Sequence, residues 1–118
     1  MKILTLHCDY INFKPLKKAL KSVDDLSEKE KAEKKITEPL VVLTAVEKGD
    51  TLDIVNELVK NVIDIAKQVN VKNIVLYPYA HLSNNLASPD IAVKVLENAE
   101  KELKKIFNVN RAPFGYYK

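Results

Sequence analysis

Residues 39–48, PLVVLTAVEK, run apolar for five positions before the first hydroxyl and then turn apolar again. A strand with one wet face alternates apolar and polar residues; an unbroken, β-branched run is the pattern of a strand covered on both faces. Such a chain cannot settle as a lone hairpin or an open sheet. Apolar cover has to come from both sides. KGD at 48–50 then ends the run.

Two stretches can supply cover. Leu52, Val55, Val59, Val62, Ala66 and Val69 recur at helical spacing and predict an amphipathic helix from about 51 to 69. Asp50 is its expected N-cap, with Asp53 favourable in the first turn. Ile91, Val95, Ala99, Leu103 and Ile106 make a second stripe, opened by Ser88 as cap and Pro89 at the first helical position. KILTLH (2–7) reads as a buried strand and DYINFK (9–14) as a second extended piece. VKNIVLYP (71–78) is a strand stopped by Pro78, and NVNRAPFGYYK (108–118) a last extended segment with a bend at Gly115. The charged stretch 21–38 reads as an exposed loop holding a short solvated helix near 27–35. The order β, β, short helix, β, α, β, α, β predicts an α/β (α+β) domain over 1–118, a mixed β-sheet with two main helices packed on it.

Composition narrows the class. With 47% hydrophobic and 30% charged residues, the 118-residue chain is not of the disordered type and suits one domain. No apolar run reaches the roughly 18 residues of a membrane span, and MKILTLHCDY turns polar too soon for a signal peptide. A single cysteine, Cys8, forms no internal disulfide. The expected location is the cytoplasm, with no membrane partner. A net charge of +3 permits RNA contact without demanding it.

Few residues announce chemistry. His7-Cys8-Asp9 is the one tight trio of metal-ligand types, and neighbouring strand residues point to opposite faces, so at most His7 and Asp9 could share an ion. No metal and no cofactor is expected. Gly49 and Gly115 stand too far apart for a phosphate loop, and no nucleophile elbow is present. His81, in YPYAHLS, sits past the carboxyl end of a strand, where α/β sheets build ligand crevices. Pro78 and Ala80 offer backbone groups beside it. Taken alone, His81 suits a structural loop as well as a site, and Tyr116-Tyr117-Lys118 suits a packed edge as well as a contact.

HCDYINF near the start, VVLTAVEK in the middle, YPYAHLS after the strand ending at Pro78 and APFGYYK at the end, in this order and spacing, resemble the N-terminal editing domain of archaeal threonyl-tRNA synthetase. The resemblance covers essentially the whole chain. It implies a fold like that of the D-aminoacyl-tRNA deacylases, which form homodimers. It implies hydrolysis of serine wrongly joined to threonine tRNA, tRNA(Thr). By this resemblance Val46 lies against the amino acid, and Pro78 and Ala80 make main-chain contacts. His81 is the site histidine, Tyr117 lies near the terminal adenosine, and Lys118 lies beside the scissile ester. The terminal ribose 2′-hydroxyl assists the attacking water. The expected partners are the tRNA(Thr) 3′ end carrying serine, a second copy of the chain, and the remainder of a synthetase in cis. The family domain is expected to run on past the lysine, with a further site carboxylate, so a C-terminal truncation is expected here. Two alternatives stay open: a free-standing D-aminoacyl-tRNA deacylase, and a non-catalytic module that binds tRNA or an amino acid.

Overall fold

The computed structural model describes residues 1–21 and 24–116. The apolar run forms the strand β4 (Pro39–Ala45), and both of its faces are indeed covered. It lies inside a four-stranded sheet of order β1-β4-β5-β6, with β1 (Lys2–His7), β5 (Asn73–Pro78) and β6 (Asn108–Arg111). β1 runs antiparallel to β4; β4, β5 and β6 run parallel to one another. Parallel neighbours need crossovers, and the two helices provide them: α2 (Asp53–Val69) between β4 and β5, α3 (Pro89–Leu103) between β5 and β6.

Alternation along β4 sorts its side chains into two cores. Leu40 and Val42 pack with Ile74 and Leu76 of β5 under Val55, Leu58, Val62 and Ala66 of α2 and Ala92, Val95, Leu96, Ala99 and Leu103 of α3. Val41 and Val75 point the other way, onto Phe13, Ile36 and Ala112. Phe13 and Ile36 belong to a small second sheet of β2 (Tyr10–Phe13) and β3 (Lys34–Thr37), paired antiparallel. The stretch 21–38 is therefore not wholly loop. Its short helix α1 (Glu28–Lys31) is present, with Ser27 and Glu30 forming a capping box, but KKIT is a strand that covers the sheet through Ile36. One buried isoleucine among charges left no alternation to read.

Other expectations shift in detail. β1 is an edge strand rather than a buried one: Leu4 and Leu6 are 47% and 45% exposed. Ile91 and Ile106, expected under the second helix, are 45% and 59% exposed, because the buried face of α3 runs through Ala92, Val95, Leu96, Ala99 and Leu103. Asp50 does not cap α2. Its carboxylate accepts from the Glu47 N–H at 2.7 Å and pairs with the Met1 amino group at 2.8 Å, and the helix begins at Asp53. Gly115 is the expected bend, at φ +80°.

This packing sets the expected outcome of two substitutions. Leu76 is fully buried between β4, β6 and the helices, so Leu76→Ala should cost about 2–5 kcal/mol in a urea titration, the range for a large core deletion. Glu100 on α3 accepts from Arg111 Nε at 2.8 Å and pairs with Lys104 at 3.0 Å. Burial alone would raise its carboxyl, but these two partners hold it below its ordinary value of 4.5. A lowered folded pKa means stability present above the unfolded value and lost as pH falls through the folded one. Wild type should therefore exceed Glu100→Gln in thermal midpoint near pH 7, and the gap should close below pH 4.5. A gap independent of pH would deny the charge a role.

Candidate functional site: a chamber at the carboxyl ends of the parallel strands

β4 and β5 end side by side, with Thr44 opposite Pro78 in the register. The two chains then diverge, and the opening between them lies just past the carboxyl ends of the parallel strands, the end of an α/β sheet at which ligands bind. Three hydrogen bonds shape it. The Tyr79 N–H donates to the Thr44 carbonyl at 2.8 Å, turning the chain after β5 into a 3-10 turn at Ala80–Leu82. The Ala87 N–H donates to the Val46 carbonyl at 2.9 Å, and Lys48 N–H to Asn85 carbonyl at 3.0 Å, so the returning loop pairs with the extension of β4. Glu47 fixes that loop further: its carboxylate accepts from the Ser83 hydroxyl at 2.6 Å and pairs with the Met1 amino group at 3.1 Å. Those two partners hold its carboxyl below the ordinary range.

The result is a cavity of about 510 Å³, within the roughly 300–1,000 Å³ of small-molecule sites. Val46, Pro78, Ala80 and His81 all line it. Val46 also belongs to the main core, and its carbonyl is already engaged by Ala87. Pro78 is the last residue of β5 and half-buried; Ala80 and His81 are exposed. The His81 ring stands edge-on to Tyr79, with centroids 5.4 Å apart. Tyr117 and Lys118 lie outside the described residues. Their neighbours Phe114, Gly115 and Tyr116 line the same cavity, so the tail meets the loop after β5.

Sequence reasoning missed several wall residues. Thr44, the buried hydroxyl in the apolar run, was the one legible signal; its Oγ1 donates to the Tyr77 carbonyl at 3.4 Å. Ala19 and Leu20, from the stretch after β2, carried none, and reach the cavity because both N–H groups donate to the Gly115 carbonyl, at 2.7 and 3.2 Å. Six wall positions are Ala or Gly: Ala19, Ala45, Ala80, Ala87, Ala92 and Gly115. Burial raises the pKa of the Tyr77 hydroxyl, and Tyr79 nearby adds to this. Tyr77 thus stays protonated near neutral pH. Among the described residues no group of three or more His, Cys, Asp or Glu is gathered to hold a metal ion. A second cavity, of about 500 Å³, lies across Phe114 and Tyr116; it carries charges of both signs, Lys34, Lys94 and Arg111 against Asp24, Glu30, Asp90 and Glu97.

Fold and cavity define a mixed-sheet α+β domain with a chamber of small-molecule size where its parallel strands end. Residues 1–118 match the family described as the archaea-specific editing domain of threonyl-tRNA synthetase, and the chain belongs to that family. It is similar over its full length to the threonine–tRNA ligases of Methanobrevibacter smithii (48% identical over 122 residues), Thermococcus sibiricus (45% over 122) and Staphylothermus marinus (43% over 120). The chain spans about a fifth of the length of these curated relatives, 19–20% in each case. Among the described residues, no helix is long and apolar enough to cross a membrane.

Proposed function

We propose that this domain proofreads threonine tRNA in the cytoplasm by hydrolysing the ester of L-seryl-tRNA(Thr) to free serine and tRNA. The observation that carries the proposal is the single cavity shared by residues 77–81 and 114–116, more than thirty residues apart in the chain. The physical need is general. Serine lacks one methyl of threonine, and a missing methyl is worth only about 1–3 kcal/mol, or roughly 10–200-fold, to a selecting pocket. A second sieve that admits serine and excludes threonine supplies the rest.

In the reaction proposed, a water adds to the ester carbonyl, and the tetrahedral oxyanion collapses by expelling the ribose 3′-oxygen. That oxygen takes up a proton, and the acid leaves as serine carboxylate. An aminoacyl ester is already activated, so positioning and charge stabilisation suffice. Lys118 stabilises the developing oxyanion or orders the water. His81 orients Lys118 or a ribose hydroxyl, and Tyr117 borders the terminal adenosine. Val46, Pro78 and Ala80 hold the seryl group, and the 2′-hydroxyl assists the water. No cofactor takes part. The remainder of a synthetase in cis brings the tRNA, and a second copy pairs along β1, whose outer edge has no neighbouring strand among the described residues and whose Leu4 and Leu6 are exposed.

The test is ester loss from Ser-, Thr- and D-aminoacyl-tRNA incubated with the chain. Rapid loss of L-serine alone supports proofreading. Equal loss of threonine sinks the second sieve, loss of D-aminoacyl groups alone turns the domain into a D-aminoacyl-tRNA deacylase, and binding without hydrolysis makes it a passive module.

A further inference from the structure

The net charge of this chain is not spread over its surface. Four lysines, Lys14, Lys17, Lys18 and Lys21, fall within eight residues, and no acidic residue occurs from Tyr10 through Val23. The other fifteen basic residues are outnumbered by the chain's sixteen acids, so the whole positive excess resides in this one strap. Along the helices basic and acidic residues are interspersed in sequence and form pairs such as Lys31–Glu28, Lys104–Glu100 and Lys105–Glu102. A merely solvated face would show the same mixture.

The strap is also fixed in place. Phe13 and Pro15 anchor its start in the protein, while Lys14, Lys17 and Lys21 are exposed. Its far half is tied to the tail by the two N–H donors on Gly115 and by a bridge between Lys18 and Tyr116. Lys18 is held by Asp25 at 2.7 Å. Ala19 and Leu20 form part of the cavity wall. Lys21 follows Leu20 directly and Lys17 lies two residues before Ala19, so both side chains spring from backbone within about 7 Å of that wall.

We propose that the strap from Lys14 to Lys21 binds the phosphodiester backbone of a single-stranded RNA 3′ end while its last nucleoside occupies the cavity. The inference rests on the function proposed above and assigns the RNA track that function leaves open. Lysines at fixed points beside a nucleoside-sized chamber supply counter-charge to successive phosphates without reading sequence.

The experiment measures binding of a short, 5′-labelled single-stranded RNA ending in CCA across a salt series. For every phosphate that is no longer neutralised, the slope of log affinity against log salt should fall by about 0.7. Lys14→Gln/Lys17→Gln/Lys21→Gln should therefore flatten the slope by about 2, so that raising salt from about 50 to 200 mM weakens wild type roughly 20-fold more than the variant. The matching triple Lys→Arg variant should keep slope and affinity, which separates charge from folding. Lys60→Gln/Lys67→Gln on the outer face of α2 should also leave both unchanged. An unchanged slope in the Gln triple, an equal loss in the α2 variant, or no RNA binding by wild type at low salt overturns the inference. Hydrolysis of seryl-adenosine, which carries no phosphate, is scored separately: its failure would strike the proposed reaction and leave the RNA track standing.

Discussion

Gly115→Val is expected to lower seryl-ester hydrolysis about 100-fold while the domain stays folded. Gly115 adopts φ +80°, a conformation that costs a side-chain-bearing residue about 1–2 kcal/mol and a β-branched one most of all. Its carbonyl is the shared acceptor for Ala19 and Leu20. Relief of the strain would turn that carbonyl away, and with it the strap and the tail that together wall one side of the chamber. A displacement of about 1 Å at a reacting centre is worth about a hundredfold in rate. Gly49→Val is the comparator. Gly49 has φ +90° and open space around an added Cβ, so it carries similar strain at a position that does not line the chamber. Equal kinetic damage in both variants would mean that strain alone, and not the wall, had been measured.

Replacing the terminal ribose 2′-hydroxyl of seryl-tRNA(Thr) by hydrogen is expected to slow hydrolysis by about 10²–10⁴, the range for loss of a positioned acid–base partner. Lys118→Met should follow at about 10²–10³, as for one lost charge-stabilising donor. His81→Ala should cost less than either, since His81 is exposed and stands against Tyr79 at the cavity rim. Single-turnover rates on the two tRNAs and three proteins give the ranking. Should His81→Ala prove the most damaging, the protein rather than the substrate supplies the base. A wild-type rate for Lys118→Met would remove that residue from the chemistry.

Much of the architecture was legible because the strongest signal was also the most central. The unbroken run at β4 required two covers, and the stripes in α2 and α3 named one of them. The second cover was hidden. β2 and β3 bury little beyond Phe13 and Ile36, and lysines and glutamates surround Ile36 in sequence. Edge and centre were also indistinguishable for β1, since KILTLH is apolar whether or not a neighbour lies beyond it. Local rules favour Asp50 as a helix cap; of the partners it has instead, the Glu47 N–H is local, but the Met1 amino group comes within reach only through the β1–β4 pairing.

For the site, spacing alone put His81 past the end of a strand and no more. The meeting of loop and tail came from family resemblance, because nothing in a periodic pattern says which loops share a cavity. The strap was silent for a different reason. Four lysines without alternation predict solvent exposure, and exposure is what most of them have; their position beside the chamber depends on two hydrogen bonds to a single carbonyl.

The Ala- and Gly-rich lining has a consequence for accuracy. Long side chains flex among rotamers, and a gauge made of them would blur by more than the size of a methyl. Here six of the wall positions are stubs with no rotamer to change, so at those points the bore is set by the course of the main chain. At those points the gauge is stiff, and it resists recalibration: an alanine or glycine leaves nothing to trim, so passing a bulkier acyl group there would require moving backbone.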